Sequence, residues 1–456
     1  MKHLLMAIKI LRAKGPYFWL NSILVVIATF FTLPLFGHVS TLPFIYNYSL
    51  NYLGFLIAYT VPIILFSWSI LTLDRSINRK LFFASGFIIF ALEISVRILF
   101  ADGSGGQNKF RKPVPYRMHS GLPNAIYKID SPGAHDEETI EDTLNALGFR
   151  GKLPPKNKMG EYRIIILGGS TVLNRQSTVG KSMAGQLEKH FRDDGFNQVK
   201  VYNWGVIAYV SGQELSLMLN EVTDYQPDLV IVYDGANDVQ HRWSYDPRPG
   251  YPYNFLVYEE GMMRMKNNID VGDVILGTLH RSKLLSLVFK RSLVFQILDY
   301  QRLREQVAYQ TVEWEKAIVA SYINNINKMC SVAHGFGFKI AVFLQPVVQF
   351  KSPRSEEEIM VSGNEPFQGF VRRLYDGISE EILVLKKRHE ADSECGYYDF
   401  HEILSNRPEK IFKDYVHVTD SGRAIIVDQL YSELIDFLGS DLASVRSQGA
   451  KVLTVH

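Results

Sequence analysis

The chain has 456 residues, enough for two or three domains, and a formal net charge of +2 with no long basic run beyond its first residues. This charge balance argues against nucleic acid as a partner. Hydrophobic residues make up an ordinary 47% of the chain, but they are concentrated near the N-terminus. That uneven distribution predicts a membrane region ahead of a water-exposed domain.

Three apolar stretches lie at residues 17–36, 53–73 and 81–100. Each is about 20 residues long, the length that spans the hydrocarbon core of a bilayer. Three such stretches with short connections argue against a cleaved signal peptide or a single buried helix. We therefore predict three transmembrane helices within residues 1–100, with the lipid bilayer as a partner.

Lysine and arginine are distributed unevenly around these stretches. The connection at residues 37–52 has neither, whereas the segment before the first stretch and the connection at 74–80 carry Lys2, Lys9, Arg12, Lys14, Arg75, Arg79 and Lys80. Because positive segments stay cytoplasmic, this pattern predicts a multi-pass inner-membrane protein with a cytoplasmic N-terminus. The chain after residue 100 is then expected in the periplasm or outside the cell.

Residues 101–158 are rich in Gly, Pro, Asn and Lys, and we predict a linker whose leader at 145–151 packs onto the following domain. After it, apolar strand-like runs alternate with helical patterns. The expected strands are 162–167, 199–203, 229–233, 339–344 and 396–400, and the expected helices are 182–191, 212–224, 312–334, 368–389 and 420–437. This alternation is typical of a parallel sheet covered by helices on both faces. We predict an α/β domain over residues 159–440.

An insertion is expected at about 240–311, and a polar, loosely held tail at 441–456. The first part of the insertion is rich in aromatic residues, and residues 269–298 resemble one or two helices with an apolar face. Trp243, Tyr251 and Tyr253 could stack on sugar rings beside a hydrolytic site, or could pack within a long loop. The sequence leaves both interpretations open.

Polar residues follow several of the predicted strands. Ser170 comes directly after the first strand, where a nucleophile would be exposed on a turn. Asp414 precedes His417 by three residues, and this pair supplies a general base and the carboxylate that orients it. Gly205 and Asn237 follow the second and third strands. Ser170, Gly205, Asn237 and His417 are therefore expected at one edge of the sheet.

The ordered set Ser170, Gly205, Asn237 and His417, with Asp414, resembles the SGNH (GDSL-like) hydrolase superfamily. The resemblance covers most of residues 145–436. It implies a flavodoxin-like three-layer α/β/α fold that follows the three membrane helices, and a membrane-anchored bacterial subgroup. One departure is that Gly169 stands where the family usually has Asp, and Thr171 where it has Leu.

The resemblance implies a catalytic triad of Ser170, Asp414 and His417. The oxyanion hole would be formed by the Ser170 and Gly205 backbone N–H groups and the Asn237 side-chain amide. The expected activity is hydrolysis of acyl esters, foremost O-acetyl esters, on extracytoplasmic cell-envelope carbohydrate or glycolipid. No cofactor is required by this chemistry.

Two other functions remain open from the sequence. The same triad can transfer the acyl group to a sugar hydroxyl, and such an O-acyltransferase would need another membrane protein of an envelope-polysaccharide system as a partner. A non-catalytic scaffold of that system is the second alternative, although a scaffold has no reason to keep the triad together with Asn237.

The chain contains two cysteines, Cys330 and Cys395. An extracytoplasmic location would permit a disulfide between them, but two buried free thiols are equally consistent with the sequence. No metal-binding spacing is present, and no metal site is predicted.

Overall fold

The computed structural model describes residues 15–36, 75–99, 111–129, 140–158, 160–256, 302–390 and 392–453, together with single positions between 57 and 67 and at 259. The chain divides into two units. The first comprises Met1–Gly106 and Glu260–Arg302, and the second comprises Gln107–Glu259 and Leu303–His456.

The first unit contains helices α1 (Pro16–Phe36) and α2 (Arg75–Leu99). They contact each other through the rings of Tyr17 and Phe82, 5.8 Å apart, and through Asn21 Nδ2, which donates to the Asn78 carbonyl at 3.0 Å.

These helices overlap the first and third predicted membrane stretches, whereas most of the second stretch lies outside the described residues. Within the part of the chain that the structure describes, no helix has the combined length and apolar character of a membrane span, so the three predicted spans are not supported there.

The second unit contains nine strands among its described residues. They are β1 (Arg111–Val114), β2 (Met118–Gly121), β3 (Ile126–Ile129), β4 (Ile140–Thr143), β5 (Tyr162–Gly168), β6 (Val199–Asn203), β7 (Leu229–Asp234), β8 (Lys339–Leu344) and β9 (Cys395–Asp399). Its helices are α3 (Ser170–Leu173), α4 (Met183–Asp193), α5 (Ser211–Asn220), α6 (Ala236–Ser244), α7 (Val312–Phe336), α8 (Glu356–Val361), α9 (Glu365–Arg388), α10 (Asp420–Phe437) and α11 (Gly439–Leu453). Short 3₁₀ turns lie at Val179–Lys181, Val222–Tyr225 and Val348–Phe350.

Five strands form one parallel sheet in the order β6-β5-β7-β8-β9. This is the flavodoxin-like order, in which the chain runs outward in opposite directions from β5. A crevice therefore opens beyond the carboxyl ends of β5 and β7, and ligands of such sheets bind there. The predicted parallel α/β fold is confirmed.

Hydrophobic layers cover both faces of this sheet. Successive β5 side chains alternate between them: Ile165 and Leu167 face the layer of α5, α7 and α9, whereas Ile164 and Ile166 face the layer of α4 and α10. All seven β5 residues are buried, as expected for a central parallel strand with helices on both faces.

The segment ahead of β5 is more structured than the predicted linker. β1 pairs with β2 and β3 with β4, each pair antiparallel. The predicted docking of the leader is observed: Phe149 stacks on Trp204 with ring centroids 4.4 Å apart, and Arg150 forms an antiparallel bridge with Asn203.

The predicted loose tail is wrong over its first part, because α11 continues the domain to residue 453. Leu442 and Val445 are buried in the layer of α4 and α10, and Asp441 accepts a hydrogen bond from the Tyr162 hydroxyl at 2.8 Å.

In the predicted insertion, residues 240–256 and 302–311 are described, while the helices expected at 269–298 lie outside the described residues.

Candidate active site

Ser170 is the first residue of the short helix α3, directly beyond the carboxyl end of β5. The turn before it requires two glycines. A Cβ on Gly168, whose φ is +154°, would lie 2.5 Å from the Tyr233 carbonyl oxygen. A Cβ on Gly169 would lie 2.5 Å from Asn237 Nδ2. In this chain, glycine at the position where the SGNH pattern usually has Asp therefore lets the Asn237 amide lie against the turn.

Ser170, His417 and Asp414 form a continuous hydrogen-bonded chain. Ser170 Oγ lies 2.8 Å from His417 Nε2, and His417 Nδ1 lies 2.7 Å from Asp414 Oδ2. The serine leaves β5 and the other two residues precede α10, so 247 positions of sequence separate groups that the fold brings together. This is the arrangement in which a histidine removes the serine proton while a carboxylate holds the ring.

The Asp414 carboxylate is fixed by its own loop. Its Oδ1 accepts the backbone N–H groups of Val416 at 2.9 Å and His417 at 2.7 Å. Burial alone would raise the pKa of Asp414, but the hydrogen bonds and charge of His417 and the Val416 N–H hold it below its ordinary value. Asp414 therefore stays ionised when His417 takes up a proton.

Asn237 lies in the first turn of α6, beyond the carboxyl end of β7, and is buried. Its Nδ2 donates one hydrogen bond to the Tyr209 carbonyl at 2.7 Å, which holds the amide next to Gly169. Because an amide nitrogen has two N–H groups, the second can donate elsewhere. The sheet thus brings the Asn237 amide close to the turn that carries Ser170.

Gly205 also lies where the sequence places it, but its N–H is engaged within the protein. It donates to Asn203 Oδ1 at 3.0 Å. A Cβ on Gly205 would lie 2.4 Å from the Leu173 backbone nitrogen, so glycine allows the exit of β6 to approach α3. Gly205 therefore lies beside α3, the helix that begins with Ser170, but its N–H is bonded to Asn203 and is not available to a substrate in the active site.

Sequence analysis did not single out Asn203 or Gln345. Asn203 Nδ2 donates to the Val172 carbonyl at 2.6 Å, so this one side chain ties Gly205 to α3. Thr171 Oγ1 donates to Gln345 Oε1 at 2.9 Å, just beyond the end of β8. Asn203 is the last residue of one predicted strand, and Gln345 directly follows another. Their location at strand ends is the sequence signal that would have identified them.

The three aromatic residues expected as a sugar platform have different surroundings. Trp243 packs against Phe370 with ring centroids 5.0 Å apart, in the layer formed by α7 and α9. Tyr251 is exposed and lies under the Arg248 guanidinium, 4.0 Å from its ring centroid. Tyr253 contacts His241 and Tyr245 and accepts a hydrogen bond from Arg111.

Cys330 and Cys395 form a disulfide between α7 and β9. Their sulfurs, His334 Nε2 and an Asp392 carboxylate oxygen all lie within 4.8 Å of one another, the one such cluster of metal-ligand types among the described residues. Since a disulfide offers no thiolate, this cluster could hold a metal ion only after reduction.

No protein-family model and no curated protein matches the chain. Among solved structures, an acetyl xylan esterase aligns over 60% of this chain and 100% of its own at 13% identity and a TM-score of 0.30. An acetylxylan esterase from Geobacillus stearothermophilus aligns over 62% and 97% at 10% identity and a TM-score of 0.34. A lipolytic protein of the G-D-S-L family from Desulfitobacterium hafniense aligns over 60% and 99% at 10% identity and a TM-score of 0.33.

With TM-scores this low, the likeness to SGNH hydrolases rests on this chain's own sheet order and on the triad at the carboxyl edge of that sheet. At the level of the fold, the resemblance predicted from the sequence is confirmed.

Proposed function

We propose that this chain is a serine esterase of the SGNH type. The observation that carries the proposal is the chain of hydrogen bonds from Ser170 through His417 to Asp414, located at the crevice of the parallel sheet. A scaffold would not need a serine and a histidine at 2.8 Å with the carboxylate already oriented.

In this mechanism Ser170 Oγ attacks the ester carbonyl carbon while His417 Nε2 removes the hydroxyl proton. His417 then delivers that proton to the leaving alcohol, and Asp414 stabilises the imidazolium. Water, activated by His417, attacks the acyl-enzyme and releases the acid. If a sugar hydroxyl attacks the acyl-enzyme in place of water, the acyl group passes to the sugar and Ser170 is released, which is acyl transfer.

The oxyanion is assigned first to the Ser170 backbone N–H and the second N–H of Asn237 Nδ2. Gly205 joins them only if its N–H turns away from Asn203 Oδ1. A donor of this kind typically contributes a factor of about 10²–10³ to the rate, because it meets the negative charge mainly in the transition state.

For the substrate, we propose O-acyl, foremost O-acetyl, esters on cell-envelope carbohydrate or glycolipid outside the cytoplasm. Two features support this location: the Lys and Arg asymmetry of the first hundred residues, and a disulfide of the kind that oxidising compartments favour. A periplasm-active reporter fused after residue 456 is expected to be active. Activity of a cytoplasm-dependent reporter at the same position would contradict the location.

The activity is tested with the full-length chain and a serine-directed fluorophosphonate probe, together with turnover of a small aryl acetate with and without a sugar acceptor. The parent is expected to be labelled and to release acetate, whereas Ser170→Ala should lose both. Ser440→Ala, which changes an exposed serine of α11, is the matched control and should behave as the parent does. Labelling that persists in Ser170→Ala would identify another nucleophile, and acetylated acceptor in the products would favour transfer.

A further inference from the structure

A cluster of metal-ligand side chains lies at the edge of the sheet opposite the triad. It consists of Cys330, His334, Asp392 and Cys395, and we call it the cysteine cluster. Cys395 is the first residue of β9, whereas Ser170 lies beyond the carboxyl end of β5. Because parallel strands have their amino ends at one edge and their carboxyl ends at the other, the cluster is separate from the catalytic crevice.

Two short segments supply the four side chains. Cys330 and His334 are four positions apart near the end of α7, so they lie on one face of that helix. Asp392 and Cys395 come from the turn before β9 and from its first residue. The last turn of a helix also carries partial negative charge, which favours a cation beside it. The segments therefore present paired ligands to one point.

The ligand atoms converge around His334 Nε2. This atom lies 3.7 Å from Cys395 Sγ and 3.0 Å from Asp392 Oδ2, and all four ligand atoms lie within 4.8 Å of one another. Zinc bonds of about 2.0–2.3 Å at tetrahedral angles place ligand atoms about 3.3–3.8 Å apart. The largest movement needed is separation of the two sulfurs, which rotation about the Cα–Cβ bonds allows while the Cα atoms stay 5.9 Å apart.

The Asp392 carboxylate is already oriented by its neighbours. Its Oδ1 accepts the Glu394 backbone N–H at 2.9 Å, and its Oδ2 lies 2.9 Å from His389 Nδ1, just after α9. Hydrogen bonds of this kind fix a ligand before a metal binds. The Glu394 carboxylate also lies 3.5 Å from His334 Nε2 and adds negative charge. The loop before β9 thus holds one ligand in place and makes the surroundings favourable for a cation.

Solvent reaches the cysteine cluster on the side of His334. Both cysteines are buried, whereas 42% of the His334 side chain and 20% of the Asp392 side chain are exposed. A metal ion can therefore enter past the imidazole and the carboxylate, and it then meets the two sulfurs in a protected position.

We propose that the thiol form of this chain binds one Zn²⁺ ion through the Cys330 and Cys395 thiolates, His334 Nε2 and the Asp392 carboxylate. The disulfide is then the metal-free form of the same site. Thiolate sulfur, imidazole nitrogen and carboxylate oxygen are all ligands that zinc accepts, and four of them complete its tetrahedral coordination. The ion would connect α7 with β9 before the disulfide forms, so these two elements are joined in both redox states.

The exchange between the two forms balances in atoms and electrons. Each thiol releases one proton as its Zn–S bond forms, the imidazole binds as the neutral ring, and no electron is transferred. To return from the disulfide, a dithiol reductant gives two electrons and two protons to the sulfurs and is itself oxidised to a disulfide.

The test uses the full-length chain in two forms, one kept anaerobic with a phosphine reductant throughout purification and one oxidised in air. The thiol form should retain one Zn²⁺ per chain against a chromogenic chelator, as measured by elemental analysis, and the oxidised form should retain none. Co²⁺ used as a probe should give sulfur-to-metal charge-transfer absorption with the thiol form only.

Variants that keep both cysteines identify the other ligands. His334→Ala and Asp392→Ala should each weaken Zn²⁺ binding about tenfold or more, because loss of a residue that only orients a ligand already costs about 10- to 100-fold. His190→Ala and Asp428→Ala are the matched controls. They remove another His–Asp pair, 2.9 Å apart, and should leave the affinity unchanged.

Thiol protection in the parent is a second measurement, and it needs no variant. Zn²⁺ should slow alkylation of the two thiols by a maleimide, and a chelator should restore the rate. A thiol form that binds no Zn²⁺, retention by the oxidised form, or equal affinity in the parent and both ligand variants would overturn the zinc site. None of these measurements uses ester hydrolysis, so their outcome is independent of the proposed activity.

Discussion

Close contacts around Ser170 depend on residues that have no side chain. Gly169 is buried, and the space that its Cβ would fill contains Asn237 Nδ2. The departure from the usual Gly-Asp-Ser-Leu pattern is therefore coupled to the position of the asparagine amide. Gly169 thus determines where the amide of Asn237, the proposed oxyanion donor, can lie.

Gly169→Ala should therefore lower kcat for an aryl acetate by about 10²–10³, because the added methyl displaces the Asn237 amide from the position it needs in the transition state. KM should change little. Gly180→Ala is the matched control, since a Cβ there meets nothing within 4 Å. Equal loss in both variants would show a general effect on folding instead, and parental activity in Gly169→Ala would contradict the oxyanion role of Asn237.

At the scale of elements, helices α5, α6 and α7 enclose a buried group of acids behind Asn237. Asp234 ends β7 and accepts the Tyr322 hydroxyl at 2.7 Å, while Asp238 accepts the Ser211 hydroxyl at 2.6 Å. Burial, and next the charges of Asp234 and Asp238, raise the pKa of Glu214 well above its ordinary value. Burial and the Asp238 charge raise the pKa of Asp234 to about 7.

Glu214 and Asp234 lie within hydrogen-bond reach, and both Glu214 oxygens and Asp234 Oδ2 otherwise have no partner in the described structure. We infer that they share a proton. In the folded state Asp234 keeps its proton up to about pH 7 and the pKa of Glu214 lies well above its ordinary value, whereas the unfolded chain releases both protons near pH 4. Stability must then fall as the pH rises between these values, because the native state binds more protons there.

Glu214→Gln should remove much of this pH dependence, since the amide donates a hydrogen bond to Asp234 without an ionisation. Urea unfolding of the parent and the variant at several values between pH 4 and pH 8 is expected to show a difference that grows in favour of the variant as pH rises. Glu313→Gln, at an exposed position of α7, is the control. Parallel curves for parent and Glu214→Gln would contradict the shared proton.

On the scale of the molecule, the disulfide connects α7 with β9, the edge strand of the sheet, and closes a loop of 65 positions. Such a cross-link lowers the entropy of the unfolded chain, typically by an equivalent of about 2–4 kcal/mol in stability.

Changing both Cys330 and Cys395 to Ala should therefore lower the thermal midpoint of the domain by several degrees. Reduction of the parent should lower the midpoint by a similar amount and should not affect the double variant. An unchanged midpoint in the double variant would show that the bridge contributes nothing to stability.

The order of elements and three of the site positions could be predicted because their signals are local. Near-continuous apolar runs follow from strands buried on both faces, and a parallel sheet brings the residues after its strands to one edge. Ser170 and Asn237 therefore emerged from their positions after strands, and His417 emerged from the Asp414 that precedes it by three residues. The triad was inferred from the sequence. The fold adds the contacts of His417 with Asp414 at 2.7 Å and with Ser170 at 2.8 Å.

Other features depend on contacts between distant segments, which leave no periodic pattern in the chain. This group includes the pairing of the two cysteines, the hydrogen bond from the Gly205 N–H to Asn203, the packing of Trp243 against Phe370 of α9, and the placement of Arg111 beside α3. The helix α11 escaped notice because two of the side chains described in it, Leu442 and Val445, are buried, which is too few to give an apolar stripe. The burial and hydrogen bonding of these residues depend on side chains from distant segments that pack against them. The local sequence therefore does not determine them.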